Sequence, residues 1–345
     1  MESLEKALSS IRSLDSDWLE KAHEYLDTLA MPPGALGEVN KIAAKLCALQ
    51  KSLKPKTAKK VIALCAADHG VTAQGVSKYP PITNAIVKTA LSGGAAINSF
   101  CKQAECELKL IDCGLVNPPQ NDELMDLSVA DGTSDFSEGP AMRQEQCLKA
   151  LDNGIKYGEY FSRHYDVVGL GEMGIGNSSS ASALASVFLN KPAVDLTGPG
   201  TGVSGDALQN KISVIERAIA LNKPDSSNSL DTLMKLGGFE IVTMTGLILG
   251  LAAASTPIIL DGFISSSAAL AAHAFKPESM EYCFAGHMSA EPGHKHVLDF
   301  LKIKPVVQMD MRLGEGTGAA LAMNTIVAAA NVMNDMLSLD DALKL

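Results

Sequence analysis

Glu315 stands between two glycines in MRLGEGTGAALAMNTIVAAANVM (311–333), where an apolar run gives way to a segment with no further charge until Asp335. A carboxylate placed there meets two opposing effects: a helix N-terminus favours its ionised form, and apolar surroundings favour the neutral one. Balanced, they leave a group able to accept a proton. A glutamate in the same place also serves as a cap that satisfies helix amides, and on the residues alone the two readings are even. A second stretch, GLGEMGIGNSSSASALA (169–185), follows an apolar run and opens a small-residue helix, with Glu172 at the strand tip. Its glycines let backbone approach a ligand, and the amides of Ile175 to Ser179 would point at an anion. A tight strand–helix turn with no ligand has the same composition. In DLTGPGTGVSGDALQNKI (195–212), Pro199 between Gly198 and Gly200, then Thr201 and Gly202, predicts an amide-lined cradle. Lys211 follows in the next helix, where a cation meets a phosphate; on spacing alone it reads as an ordinary solvated lysine.

Other polar clusters carry less. AADHGV (66–71) puts Asp68 and His69 at a strand end, where a turn-stabilising pair is the simpler reading. AGHMSAEPGHKH (285–296) holds three histidines and Glu291, yet no HExxH occurs and His294 and His296 diverge on a helix or a turn, so no metal is expected. Ser178 to Ser180 form no GxSxG elbow, which argues against a serine hydrolase. GLGEMG (169–174) has the spacing of GxGxxG, but a lone glycine-rich turn is a weak signal and no GxxxxGK[ST] occurs, so a dinucleotide oxidoreductase stays remote.

These residues need elements to hold them, and the chain supplies a repeated grammar. Apolar, β-rich runs (VIALCAADHG, ELKLIDCGL, YDVVGLGEMG, TPIILDGFI, EYCFAGH and VVQMDMRLGEG) end in Gly or Asp and alternate with Ala-rich helical stretches, one of them around Ile86 to Phe100. Strands without polar alternation, separated by helices, indicate a mostly parallel sheet covered on both faces, in a doubly wound α/β fold that binds ligands at strand carboxyl ends. The first fifty residues are helical in period, with a Pro-Gly turn at MPPGALG, and are expected to pack with C-terminal helices as a small helical subdomain. The expected division is residues 1–55 plus about 325–345 against a large domain over 56–324.

With 345 residues, 46% hydrophobic and 20% charged, a sizeable core is expected. A net charge of −10 argues against nucleic acid and anionic membrane as partners, so any phosphate must be held locally. The seven cysteines form no CxxC and suit reduced thiols in a cytoplasmic protein. The uncharged stretch from Ile241 to Leu260 has the length of a bilayer span, but Gly246, Gly250 and Pro257 divide it, and a buried helix followed by a buried strand is the better reading.

Taken together, PPGALG, AADHGV, SGGAAIN, GTSDFSEGPAM, GEMGIGNS, GPGTG, GGFEI, ILDGFI, AGHMSAEPGH and RLGEGTGAALA resemble, in order, the nicotinate-nucleotide–dimethylbenzimidazole phosphoribosyltransferases of cobamide biosynthesis. The resemblance runs from about Leu29 to Val332. It implies a Rossmann-like large domain, a helical domain built from both chain ends, and a dimer, of two copies or with a paralogue. No cofactor is implied. It matches Glu315 to the family's general base, and Glu172 and Lys211 to polar residues around the ribose phosphate. Gly174, Gly176, Asn177 and Ser178 match the nucleotide-binding loop, and Gly200, Thr201 and Ser289 match further contacts. The substrates implied are nicotinate mononucleotide and a small aromatic acceptor.

The chain departs from the family in KYPPITNAIV (78–87), where a stretch like YPQEVTxQMV is common. It is one residue shorter, with Pro81 in the shortened part and Ala85 where Gln is usual; Tyr79 precedes both. Loss of an amide weakens recognition of a second ring nitrogen, so a phenol such as phenol or p-cresol is expected as the acceptor in place of 5,6-dimethylbenzimidazole. The alternative is a non-catalytic or partner-dependent subunit of a heterodimer, against which the retained Glu315, Glu172 and Lys211 count.

Overall fold

A computed structural model describes residues 2–345. The Val-, Ile- and Leu-rich runs form strands β1 (Lys60–Ala67), β2 (Glu107–Gly114), β3 (Leu124–Asp126), β4 (Val167–Met173), β5 (Ile258–Leu260), β6 (Cys283–Met288) and β7 (Pro305–Gln308). They make one sheet in the order β3-β2-β1-β4-β5-β6-β7, with every neighbouring pair parallel. The chain winds outward from β1 through β2 to β3, returns, and winds the other way from β4 to β7. Direction therefore reverses between β1 and β4, and a crevice opens there at the carboxyl ends of the strands. The doubly wound α/β expectation is met, with a wholly parallel sheet.

Helices α1 (Glu2–Ser10), α2 (Ser16–Thr28) and α3 (Glu38–Gln50) precede the sheet. Between β1 and β2 run α4 (Thr83–Leu91) and α5 (Ala96–Ala104). The single helix expected around Ile86 to Phe100 is thus two, because Gly93 takes φ +80° and a left-handed residue cannot continue a right-handed helix. Helix α6 (Gln144–His164) leads into β4; α7 (Asn177–Leu189), α8 (Ala193–Leu196), α9 (Asp206–Asn222), α10 (Ser229–Leu236) and α11 (Phe239–Ala253) separate β4 from β5. Then follow α12 (Phe263–Phe275), α13 (Pro292–Leu301), α14 (Thr317–Asp335) and α15 (Leu339–Ala342).

Helix α11 is buried from Phe239 to Ala252, so its sequence is apolar all round rather than on one stripe. It meets α6 at very short range through glycines spaced i, i+4 on both helices: Gly154 and Gly158 against Gly246 and Gly250. A Cβ on Gly158 would stand 2.9 Å from Leu247 O and from Leu251 N, which is inside van der Waals contact. Among the described residues no helix is long and apolar enough to cross a membrane; the Ile241–Leu260 stretch is α11 plus β5, as expected.

The two chain ends meet. Leu29 bridges Ser338 antiparallel, and Ala30 N–H donates to Leu337 O at 2.9 Å. Lys54 Nζ donates to Met333 O and Asn334 O, at 2.7 and 2.9 Å, and so satisfies carbonyls at the end of α14, where a cation also suits the helix dipole. All seven cysteines are free thiols.

Candidate active site

The carboxyl ends of β4, β5 and β6 and the turn before α14 enclose a cavity of about 330 Å³. Glu172, Asp261, His287 and Glu315 come to its wall from four different segments. A larger cleft of about 910 Å³ lies elsewhere, between α3, α13 and β7, with Lys45 donating to Cys283 O at 2.6 Å on its floor. Its acidic residues are occupied: Glu38 pairs with Lys41 and Lys304, and Glu281 accepts from Leu14 N–H. The smaller cavity instead gathers buried carboxyl groups, with Glu315 Oε2 and Glu291 Oε2 unpartnered, which makes it the candidate site.

Glu315 has φ +61°, between Gly314 at +85° and Gly316 at +83°. Left-handed backbone at a residue with a Cβ costs roughly 1–3 kcal/mol, so the surroundings must hold the turn. Glycine at 314 is also steric, because a Cβ there would run into Glu172 Oε1. The Glu315 side chain is buried and its Oε2 has no hydrogen-bond partner. Burial raises its pKa, the Ile97 amide opposes this, and the charge of Asp261 adds to the rise. Glu315 does not cap α14, whose first amides are taken by Asp261; the one helix amide it meets is that of Ile97, in the first turn of α5. Asp261 Oδ2 accepts from Gly316 N–H at 3.1 Å, and its Oδ1 accepts from Gly318 and Ala319 N–H at 2.6 and 3.2 Å.

Glu172 follows the same logic one strand away. It is buried, Asn177 Nδ2 donates to its Oε2, and burial, reinforced by Asp261, pushes its pKa up to about 8. Gly174, Asn177 and Ser178 line the cavity, and Gly176 makes the turn with φ +99°. The anion cradle expected from Ile175 to Ser179 is narrower than the sequence suggested. The Ile175 amide is spent on Thr83 Oγ1, and those of Asn177 and Ser179 on Gly174 O and Gly176 O.

Lys211 is 0% exposed, so the solvated-lysine reading is wrong. Its Nζ donates to Ser178 Oγ at 2.9 Å and to Gly198 O at 3.1 Å, behind the cavity wall, and burial lowers its pKa to about 8. Gly200 and Thr201 are on the wall. Gly200 is gripped from both sides: its N–H donates to Glu291 Oε1 at 3.0 Å, and Arg312 donates to its O at 3.2 Å. Thr201 Oγ1 accepts from Lys78 N–H at 3.0 Å and bonds Ser77 Oγ at 3.0 Å, which ties the 78–87 segment to this loop. Ser289 is on the wall too; its N–H donates to His294 Nδ1 at 2.9 Å. That bond leaves the proton on Nε2, facing Ser266 Oγ at 3.0 Å, and burial lowers the His294 pKa to about 3, keeping the ring neutral.

In the acceptor segment the structure divides the expected residues. Tyr79 is on the cavity wall, half exposed, with Ile86. Pro81 and Ala85 are exposed and stand off the wall. His69 does not pair with Asp68 as a turn device: its Nε2 meets Glu240 Oε1 at 2.7 Å, both side chains fully buried, while Asp68 accepts from Val116 N–H. The residues that sequence reasoning missed are Asp261 and Arg312; His287 and Glu291 figure there only as metal ligands. The signal available for Asp261 was its place directly after the IIL strand, in ILDGFI.

A protein-family model described as "Phosphoribosyltransferase" matches residues 11–343. A nicotinate-nucleotide–dimethylbenzimidazole phosphoribosyltransferase of Desulforamulus reducens is 42% identical over 343 residues, covering 98% of each chain. One of the same name from Dehalococcoides mccartyi is 40% identical, covering 99% of this chain and 98% of its own. The crystal structure of CobT from Thermus thermophilus superimposes with a TM-score of 0.90 at 37% identity, over 94% of this chain and 98% of that one. In sequence and in fold, this chain belongs to the nicotinate-nucleotide–dimethylbenzimidazole phosphoribosyltransferase family.

Proposed function

We propose that the protein transfers the 5-phosphoribosyl group of nicotinate mononucleotide to a small aromatic acceptor, with Glu315 as the base. The observation that carries this is the Glu315 carboxylate itself, held on a left-handed turn with an unpartnered oxygen at the cavity. Nicotinate on ribose C1′ is a pyridinium, so the C1′–N bond breaks with its electron pair going to the ring nitrogen, and neutral-ring nicotinate departs. The acceptor attacks C1′ from the opposite face, an α-linked nucleotide forms, and the acceptor's proton passes to Glu315. Positive charge grows at C1′ as the bond breaks, and the carboxylates of Asp261 and Glu315 on one cavity wall favour it. The loops at Gly174–Ser178 and Gly200–Thr201, backed by Lys211, are assigned to the phosphate end. Positioned base help supplies about 10²–10⁴-fold, and alignment in a dry pocket supplies the rest.

The acceptor is assigned as a phenol, such as phenol or p-cresol. Two features support this over 5,6-dimethylbenzimidazole, the base in the relatives' names: the shortened 78–87 segment, and a wall that includes Tyr79, Ile86 and Leu313. A phenolic hydroxyl has a pKa of about 10, is neutral near pH 7, and leans on the base. The reading includes a cytoplasmic dimer, of two copies or with a paralogue, in which residues 1–55 and about 325–345 form a helical domain against 56–324. The Leu29–Ser338 bridge supports that pairing of the ends.

The experiment is nicotinate release from nicotinate mononucleotide with phenol, p-cresol or 5,6-dimethylbenzimidazole, for the wild type and Glu315→Gln. Acceptor-dependent release, lost in the variant and fastest with a phenol, is expected. Faster turnover with the benzimidazole would remove the phenol assignment. No release with any acceptor would favour a partner-dependent subunit.

A further inference from the structure

Glu315 cannot hold its own conformation. The chain turns left-handed through Gly314, Glu315 and Gly316 before it can start α14, and isolated backbone does not stay there. Thr317 closes the turn from within, its N–H and hydroxyl donating to Gly314 O at 3.1 and 2.7 Å, and a side chain from another strand fixes the exit. Asp261, directly after β5 and 1% exposed, accepts the N–H groups of Gly316, Gly318 and Ala319. Both its oxygens are consumed by these three amides, so it has little left to offer a substrate. The approach is tight: a Cβ on Gly318 would collide with the His287 ring and stand 2.8 Å from Asp261 Oδ1.

We infer that Asp261 is the positioning residue of the reaction: it locks the backbone that carries Glu315. Its charge also bears on that base, whose pKa it helps to raise. The inference rests on Glu315 being the base. Burial pushes the Asp261 pKa up, and His287 and the three helix amides oppose this; because those amides can only donate, they favour the ionised form beside the proton of Glu315. The other ionisable groups facing Glu315 are Glu172 from β4, His287 and Glu291 from β6 and the loop after it, Tyr79 from the 78–87 segment, and Arg312 on its own segment. His287 Nε2 is 3.9 Å from Asp261 Oδ1, near enough to temper its charge but beyond a hydrogen bond.

The test is Asp261→Asn, which keeps the shape, removes the charge and still offers one acceptor oxygen. With the fold confirmed by circular dichroism, kcat is expected to fall roughly 100-fold, as a small misplacement of a reacting group does, with KM for nicotinate mononucleotide within a few-fold of wild type. The acid limb of kcat/KM should move to lower pH, because a nearby negative charge no longer holds the proton on Glu315. A merely structural aspartate would leave that limb in place. In a Glu315→Gln background the same substitution should cost little more, since it acts through the group already removed. Wild-type kcat with an unmoved limb, or an equal cost in both backgrounds, overturns the inference. Carbon-13 NMR of labelled glutamate carboxyls, with Glu315 assigned by its loss in Glu315→Gln, reads the same titration without turnover. An inactive wild type would therefore count against the proposed reaction while the NMR midpoint still decides the role of Asp261. Should Asp261→Asn not fold, Asp261→Glu replaces it: the charge is kept, the three amides can no longer all be met, and retention of wild-type kcat overturns the positioning role.

Discussion

Lys211 Nζ donates to Ser178 Oγ over 2.9 Å, joining a fully buried ammonium to a hydroxyl on the cavity wall. The same ammonium holds Gly198 O, so one side chain couples the first turn of α7 to the loop before α9. Lys211→Met should therefore separate the two while leaving the base untouched. Expected is a KM for nicotinate mononucleotide raised roughly 10–100-fold, the size of a lost charge-assisted hydrogen bond, with a smaller change in kcat. Calorimetric titration of the nucleotide into both proteins checks it; unchanged affinity would leave Lys211 a core residue only.

Glu315 must be ionised to accept a proton, and burial raises its pKa above the ordinary 4.5 of a glutamate. Activity should therefore rise with pH through an acid limb that sits above 4.5. A kcat/KM profile measured down to acid pH, with protein stability followed alongside, shows whether it does.

Glu172 offers a separate prediction about stability. Its folded pKa is raised from 4.5 to about 8, so the folded state binds the proton more tightly than the unfolded chain does. Its contribution to stability is fully present below pH 4.5 and is lost as pH rises through about 8. Glu172→Gln removes this loss. The variant should match wild type in thermal midpoint near pH 4.5 and exceed it by several degrees at pH 8, even though nucleotide binding suffers. A constant difference between the two proteins across pH would contradict the assignment.

The α6–α11 contact is the most demanding packing outside the site. Gly158→Val and Gly250→Val each place side-chain atoms where backbone of the opposite helix already stands. The expected cost is roughly 3 kcal/mol or more per substitution, since backbone cannot yield as a side chain would. Urea denaturation of each variant, compared with Gly139→Ala, where a Cβ meets nothing within 4 Å, gives the measurement.

Much of this was open to reading in the residues. Six of the seven strands announce themselves as apolar runs ending in Gly or Asp; β3 does not, because Leu124–Asp126 is short and only partly buried. The burial of Lys211 was also legible, though not from its charge. It falls at i against Val214 (i+3), Ile215 (i+4) and Ala218 (i+7), on the apolar face of α9, and a lysine there must go inside. What could not be read is which carboxylate caps α14. Asp261 and Gly316 are far apart in sequence, and only the parallel pairing of β4, β5 and β6 puts them together. The same holds for His69 and Glu240, joined across the fold with no local pattern to mark them.

The cavity wall is built in two unequal ways, and this bears on how such a protein changes over generations. Glu172, Asp261 and Glu291 are buried and gripped by amides or side chains from other segments, so a substitution at any of them disturbs several loops at once. Tyr79 and Leu313, on the same wall, are 50% and 56% exposed, and no network of this kind depends on their side chains. Mutational drift is thus cheap at one part of the site and ruinous at the other. A lineage built on this scaffold can try new aromatic partners by single steps in the 78–87 segment while the group it hands over stays the same.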